Sequence, residues 1–103
     1  MTHGKRRSHY PLTLVQQLAA DPARTRFTRV ALDGAAELGF DTTKIVAVVT
    51  KLRPEDFYKN MTTYADSSIW QDVYRPTVNG TPIYVKVTVY AAENLLVVSF
   101  KRR

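Results

Sequence analysis

The sequence predicts an α+β fold, with amino-terminal helices packed on a carboxy-terminal antiparallel sheet. Two observations lead to this fold class. Before about residue 60, apolar residues recur at helical spacing, whereas from Met61 onward they alternate with polar residues as they do in strands. Turn-forming pairs such as Asn79-Gly80 and Glu93-Asn94 separate the alternating stretches, so consecutive strands are expected to form hairpins.

Three helices are predicted in the first half of the chain, over residues 12–20, 28–39 and 44–52. Pro22 closes the first helix, Thr28 is a suitable N-cap for the second, and Gly39 is a favoured residue just beyond its end. Asp41 or Thr42 caps the third, whose Ile-Val-Ala-Val-Val run has strand propensity but whose flanks favour a helix. A separate helical turn follows, in which proline and acidic residues suit a helix start.

Four strands are predicted after the helices, in the segments TTYAD, IWQDVYRP, TPIYVKVTVYA and LLVVSFK. Alternation within the third strand places Tyr84 and Lys86 on one face of the strand and its apolar residues on the other face. The four-residue loop 91–94 sets the register between the last two strands so that the apolar residues of both lie on the same face of the sheet. Lys101 is then predicted opposite Tyr84. By the same register, Ser99 lies opposite Lys86.

The preceding hairpin turn extends this polar face to the strand before it. A tight turn sets Arg75 opposite Tyr84, and a wider turn shifts the pairing by two residues; either keeps Gln71 on the same face. Trp70 is assigned to the core side by the same alternation. Asp72 falls on the core side as well, which predicts a sheet end or a bulge at that position.

Cations dominate the polar face of the predicted sheet. The face collects Gln71, Arg75, Tyr84, Lys86, Ser99 and Lys101, with no acidic residue among them. An ordinary solvated face is the general alternative, but such a face usually mixes both signs of charge. The composition therefore favours a surface that binds a polyanion.

The composition of the whole chain narrows the chemistry further. With 103 residues it is expected to form one domain, residues 1–103, whose residues 1–10 make a flexible basic arm. The formal charge is +6, there is no cysteine, and both histidines, His3 and His9, lie in that arm. These facts exclude disulfides, a thiolate nucleophile and a histidine cluster, leaving carboxylates as the only metal ligands. A cytoplasmic location is expected, with no export signal or membrane span.

The cluster of cations and tyrosine has the functional groups that RNA cleavage needs. Cleavage requires a base for the 2′-hydroxyl proton, an acid for the leaving 5′-oxygen and cations for the charge that develops at phosphorus. Because the ordinary pKa values of lysine and tyrosine are about 10, one of them needs a lowered pKa to act as a base near neutral pH. Clustered positive charge is expected to lower it.

The segment DFYKNMTTYADSSIWQDVYRP, continued by PIYVKVTVY and LLVVSFK, resembles the motility quorum-sensing regulator (MqsR) toxins. The resemblance is closest over residues 56–101 and extends more loosely back to Leu12. It implies a RelE/YoeB-like α+β fold without a cofactor. It also implies the toxin of a type II toxin–antitoxin system, a ribosome-independent mRNA interferase that cuts at GC-containing sites and arrests growth.

The same resemblance implies four catalytic residues: Lys59 after FY, Gln71 in IWQ, Tyr84 in YVK and Lys101 in SFK. The last three also lie on the predicted polar face, whereas Lys59 precedes the first predicted strand and has no predicted position. Arg75 and Lys86 are interpreted as contacts to the RNA backbone, with a solvated charge as the alternative for Lys86. Tyr58 and Met61 are interpreted as parts of a base pocket or, alternatively, of the core.

The family further implies a partner, an MqsA-like antitoxin with a zinc-binding domain and a helix-turn-helix domain. Zinc and operator DNA would then be bound by the antitoxin, and mRNA would be the substrate of this chain. Two alternatives for the polar face are a non-catalytic RNA-binding module and a module that binds only the antitoxin. The first alternative predicts that bound RNA stays full length, and the second predicts tight binding of the antitoxin with no effect on RNA.

Overall fold

A computed structural model gives the structure of residues 7–103. Within this range the helices are α1 Leu12–Ala19, α2 Arg29–Glu37 and α3 Thr42–Thr50. The strands are β1 Thr25–Phe27, β2 Phe57–Thr62, β3 Trp70–Tyr74, β4 Thr77–Val78, β5 Thr81–Tyr90 and β6 Leu95–Arg102. These elements confirm the α+β class and all three predicted helices.

The sheet has the strand order β1-β6-β5-β3-β2, and the short β4 pairs with β5. Strands β2, β3, β5 and β6 pair antiparallel, as predicted for successive hairpins. Strand β1, however, runs parallel to β6, with Thr25 paired to Leu96 and Phe27 to Val98. The sheet is therefore mixed rather than wholly antiparallel, because one short strand between α1 and α2 adds to its edge.

Side-chain caps fix the starts of α2 and α3. The Ala31 N–H donates to Thr28 Oγ1 at 3.0 Å, and the Lys44 N–H donates to Asp41 Oδ1 at 3.0 Å. Of the two caps considered for the third helix, Asp41 is the one used. The β-branched residues of α3 are compatible with a helix because burial of Ile45 in the core outweighs their weak preference for a strand.

The core lies between the helices and one face of the sheet. Strand β5 contributes Ile83, Val85, Val87 and Val89 to it, and β6 contributes Leu96, Val98 and Phe100. In the β5–β6 ladder, Tyr84 pairs with Lys101 and Lys86 pairs with Ser99. Both predicted pairings are confirmed, so the polar face predicted on these two strands exists.

The first strand of the meander is not where the sequence predicted it. The predicted strand TTYAD is wrong, since β2 ends at Thr62 and the residues after it form a turn. There the Asp66 N–H donates to Thr63 Oγ1 at 3.0 Å, and the Ser68 N–H donates to Asp66 Oδ1 at 2.9 Å. These local side-chain bonds compete with strand pairing and close the loop between β2 and β3.

Asp72 is fully buried on the core side of β3, and no bulge occurs at this position, but its pair with Val87 is the last one between β3 and β5, so the pairing of these two strands ends there. The backbone N–H groups of His9 and Tyr10 each donate to its carboxylate at 2.8 Å, which satisfies the buried charge. Burial raises the pKa of Asp72, and these hydrogen bonds oppose the increase.

The segment before α1 therefore lies against the sheet at residues 8–10, where a flexible arm was expected. The His9 ring stacks on Trp70 with centroids 5.1 Å apart, and the Tyr10 hydroxyl donates to the Trp70 carbonyl at 2.8 Å. Trp70 is half-buried beneath these residues rather than part of the core assigned to it. The rest of the predicted arm, residues 1–6 with His3, lies outside the described residues.

Candidate active site

A β-bulge in β2 positions two neighbouring side chains of the site. Phe57 pairs with Tyr74 of β3, but Lys59 pairs with Val73, so the register shifts by one residue between them and Tyr58 is the extra residue. A bulge re-aims side chains in this way, and bulges are frequent beside active sites. Tyr58 and Lys59 consequently both reach the cleft on the polar face.

Strand pairing then sets a row of side chains across the sheet. Lys59 pairs with Val73, Val73 with Lys86, and Lys86 with Ser99. The neighbouring row contains the Tyr84–Lys101 pair. Because side chains opposite each other in antiparallel pairs lie close together, the rows bring lysines from β2, β5 and β6 to one place.

These rows enclose a cleft of about 230 Å³, lined by Tyr58, Lys59, Met61, Val73, Tyr84, Lys86 and Lys101. Six of the eight predicted site residues thus come together, and Val73, which lies on the same face of β3 as Gln71, completes the lining. Val73 and Met61 are buried, with 3% and 8% of their surface exposed, and form an apolar floor. Among residues 7–103, those that line the cleft include three lysines and no carboxylate.

Arg75 lies beside the cleft rather than in its lining. Its guanidinium carbon is 4.3 Å from the centroid of the Tyr58 ring and 5.9 Å from that of Tyr84. The Arg75 N–H donates to the Asp56 carbonyl at 2.8 Å, which ties the end of β3 to the residue before β2. The predicted proximity of Arg75 and Tyr84 is confirmed, and the guanidinium stacks with the aromatic rings as cation–π pairs do.

The lysines also lie over aromatic rings. Lys59 Nζ is 5.4 Å from the centroid of the Tyr58 ring, and Lys101 Nζ is 5.9 Å from that of Tyr84. The electron-rich ring faces attract the ammonium groups and offset part of the repulsion between the clustered cations. The aromatic residues thereby help to hold the positive charges at the cleft.

Gln71 is the one predicted catalytic residue that does not line the cleft. It is half-buried and pairs with Met61, which does line the cleft, so its backbone lies two residue pairs beyond the Lys59–Val73 pair on the same strands. Gln71 therefore borders the apolar floor rather than the lysines.

Lys86 carries the lowered pKa that the sequence led us to expect in this cluster. Burial lowers its pKa below the ordinary value of 10.5, and the charges of Lys101 and Lys59 lower it further. We predicted clustered charge as the cause, whereas burial is the larger one. Folding therefore makes the Lys86 ammonium easier to deprotonate than an ordinary lysine.

Chemically, the cleft combines a concentrated positive charge, a phenolic hydroxyl, a lysine with a lowered pKa and an apolar floor between aromatic rings. An anionic group such as a phosphate would meet Lys59, Lys86 and Lys101 together. The apolar floor beside Tyr58 suits a planar ring, for example a nucleobase. Within residues 7–103, no three histidine, aspartate or glutamate side chains are grouped as metal ligands.

The fold and this cleft define a small basic α+β protein with a cleft suited to an anionic ligand. The chain belongs to the motility quorum-sensing regulator family, described as the toxin of MqsA, whose family model matches residues 7–102. It is similar to the mRNA interferase toxin MqsR of Escherichia coli strain K12, with 44% identity over 99 residues covering 96% of this chain and 98% of that relative. The resemblance inferred from the sequence is thereby confirmed. None of the helices in residues 7–103 is long and apolar enough to cross a membrane.

Proposed function

We propose that this protein is the toxin of a type II toxin–antitoxin system and an endoribonuclease that cuts mRNA. It acts without the ribosome and without a metal ion, at short GC-containing sites, and thereby arrests growth. The observation that carries the proposal is the cleft in which Lys59, Tyr84 and Lys101 meet. Membership of a toxin family and similarity to an mRNA interferase support it.

The proposed reaction is an attack of the ribose 2′-oxygen on the adjacent phosphorus. The 2′-hydroxyl loses its proton to a base, the bond from phosphorus to the 5′-oxygen breaks, and an acid protonates that oxygen. The products are a 2′,3′-cyclic phosphate and a 5′-hydroxyl, so atoms and charges balance without a cofactor. Lys59 and Lys101 bind the phosphate and stabilise its developing charge, while Tyr84 and a lysine exchange the two protons.

The remaining site residues bind and orient the RNA. Tyr58 and Met61 provide a stacking surface and floor for a base. Gln71, beside Met61, uses its amide on a base edge or on a nonbridging phosphate oxygen. Arg75 and Lys86 contact the backbone, and the lowered pKa of Lys86 makes its proton easier to lose than that of an ordinary lysine.

The proposal includes a partner and a location. The partner is an MqsA-like antitoxin that supplies a zinc-binding domain and a helix-turn-helix domain, so operator DNA is bound through it and not by this chain. The family description, a toxin of MqsA, supports the pairing. The chain acts in the cytoplasm, where both mRNA and the antitoxin are found.

Incubating the purified protein with RNA in an excess of EDTA tests this function. We expect cutting at the same sites and rate as without the chelator. Loss of cutting that added magnesium restores would overturn the metal-free reaction. RNA that is bound but stays full length in both conditions would replace the endoribonuclease with a non-catalytic RNA-binding module.

A further inference from the structure

A second basic groove lies next to the cleft, between α3 and the segment that links β3 to β4. It has a volume of about 420 Å³, and Lys44, Lys51, Arg53 and Arg75 are among the residues that line it. Asp56 is the acidic residue in the lining. None of the proposed reaction steps uses this groove.

Helical spacing builds one wall of the groove. Lys44, Ala47, Val48 and Lys51 follow one another at intervals of three, one and three residues, which places them on one face of α3 and its end. The small Ala47 leaves room between the two lysines. The opposite wall runs from Arg75 through Pro76 to Asn79.

Cations outnumber acids in the groove, where Asp56 is the acidic residue of the lining and Glu55 lies beside Arg53. The Asp56 carboxylate accepts a hydrogen bond from the Arg53 N–H at 2.9 Å, so it is occupied with the backbone. Glu55 approaches the Arg53 guanidinium at 3.8 Å, but both side chains are more than two-thirds exposed, at 68% and 69%. Such an exposed pair contributes little and opens readily for a better-placed anion.

Arg75 connects the groove to the cleft. The arginine lines the groove while its guanidinium stacks on Tyr58, which lines the cleft. Its Nε is buried and has no hydrogen-bond partner among residues 7–103. A buried donor without a partner is costly, and a phosphate that drew the guanidinium toward the groove would supply an acceptor.

We propose that this groove binds the sugar-phosphate backbone of the RNA strand on one side of the phosphate that is cut, with Arg75 at the junction. The inference rests on the proposed function, since it extends the substrate beyond the cleft. RNA fits better than an acidic protein because cations line both hollows: Lys101 and Arg75 both approach the Tyr84 ring, and Arg75 lines the groove together with Lys51. A polynucleotide carries phosphates along that entire path.

The test compares two RNAs bound to a double variant of the full chain, Lys51→Ala with Arg53→Ala. Both RNAs contain the cleavage site and carry a 2′-O-methyl group there, which blocks attack by the 2′-oxygen but keeps every phosphate. Only the longer RNA continues beyond the cleavage site on both of its sides. A matched control removes two cations at the other edge of the sheet, Arg24→Ala with Arg26→Ala. Fluorescence anisotropy over a range of salt concentrations gives Kd, and thermal unfolding checks the fold.

We expect the groove variant to bind the longer RNA at least about fivefold more weakly, with a smaller effect on the short RNA. The slope of log Kd against log salt should fall by about 1.4 on the longer RNA if two phosphate contacts are lost. The control should keep the native slope.

Equal weakening on both RNAs, or no weakening, would overturn the groove assignment. Unchanged RNA binding together with weakened binding of the antitoxin would overturn it in favour of an acidic protein surface. Cleavage of the unmodified RNA is measured in parallel. A chain that binds long RNA through the groove but cuts none would retain this inference and contradict the proposed function.

Discussion

Tyr84 and Lys101 lie directly opposite each other on β5 and β6, with the Lys101 ammonium 5.9 Å from the centre of the Tyr84 ring. The same tyrosine ring is 5.9 Å from the Arg75 guanidinium carbon, so cations from two strands approach it. A phenolic hydroxyl in this setting is close to any phosphate that the lysines bind. The pair is therefore the geometric centre of the proposed reaction.

Replacing Tyr84 with phenylalanine should separate chemistry from binding. Tyr84→Phe removes the hydroxyl but keeps the ring that contacts Lys101 and Arg75. We expect the single-turnover cleavage rate to fall by about 10²- to 10⁴-fold, as for loss of a general acid or base, while Kd for RNA changes less than about threefold. Tyr90→Phe, at the far end of β5, is the control. A Tyr84→Phe rate equal to that of the control would remove Tyr84 from the reaction.

Gly34 in α2 controls how closely that helix approaches the site strand. A Cβ at this position would come within 2.5 Å of the Phe100 carbonyl and 3.1 Å of the Lys101 Cα, both backbone atoms. Gly34→Ala should therefore lower the free energy of unfolding by about 1–3 kcal/mol, although alanine is the better helix former. Displacement of β6 should also slow cleavage. Increased stability in urea unfolding would contradict the close approach.

Lys86 makes the stability of the protein depend on pH in a defined direction. Its folded-state pKa lies below the ordinary 10.5, so between these two values the folded chain binds fewer protons than the unfolded chain. Native stability attributable to this group therefore rises as pH rises through that window. Lys86→Met should be more stable than the native chain at neutral pH, and the difference should narrow in alkaline solution.

The comparison at Lys86 is made by urea unfolding at a series of pH values. Lys51→Met, at an exposed position, controls for the added apolar side chain. A stability difference at Lys86 that widens with pH, or one that the control reproduces, would show that the burial of its charge is not responsible.

Asp72 should fix the segment before α1. Asp72→Asn keeps the shape of the side chain but replaces one carboxylate oxygen with an NH₂ group. In the native protein the two carboxylate oxygens accept hydrogen bonds from the His9 and Tyr10 N–H groups, so in the variant one of these N–H groups faces another donor. We expect a loss of about 1–3 kcal/mol in the free energy of unfolding, against less than about 0.5 kcal/mol for the exposed control Asp33→Asn. Fluorescence of Trp70, the only tryptophan, should change as His9 leaves its ring. Unaltered fluorescence would mean that the segment is held by other contacts.

The β5–β6 part of the site was predictable because short-range rules determine it. Strict alternation in β5 and the four-residue loop to β6 leave one register that buries both apolar sets, and this register pairs Tyr84 with Lys101. The turn at Asn79-Gly80 has positive φ angles of 50° and 80°, as a tight hairpin turn requires, which brought Arg75 toward Tyr84.

The position of Lys59 was not predictable, because it depends on contacts between distant segments. Residues 53–59 read as a helical turn followed by irregular chain, and no local signal marks a bulge at Tyr58. The bulge exists because Phe57 joins Tyr74 in the core while Lys59 pairs with Val73. In the same way, the partners of Asp72 lie more than sixty residues away in sequence, so its charge appeared misplaced.

The ends of the RNA fragments test the central claim most directly. Purified protein is incubated with an oligoribonucleotide, and the products are identified by mass spectrometry; a second substrate carries a single 2′-deoxyribose at the cleavage position. Attack by the 2′-hydroxyl predicts a 2′,3′-cyclic phosphate and a 5′-hydroxyl from the first substrate and no cut at that position in the second. Fragments with 5′-phosphate ends, or cleavage at the 2′-deoxyribose, would contradict the account.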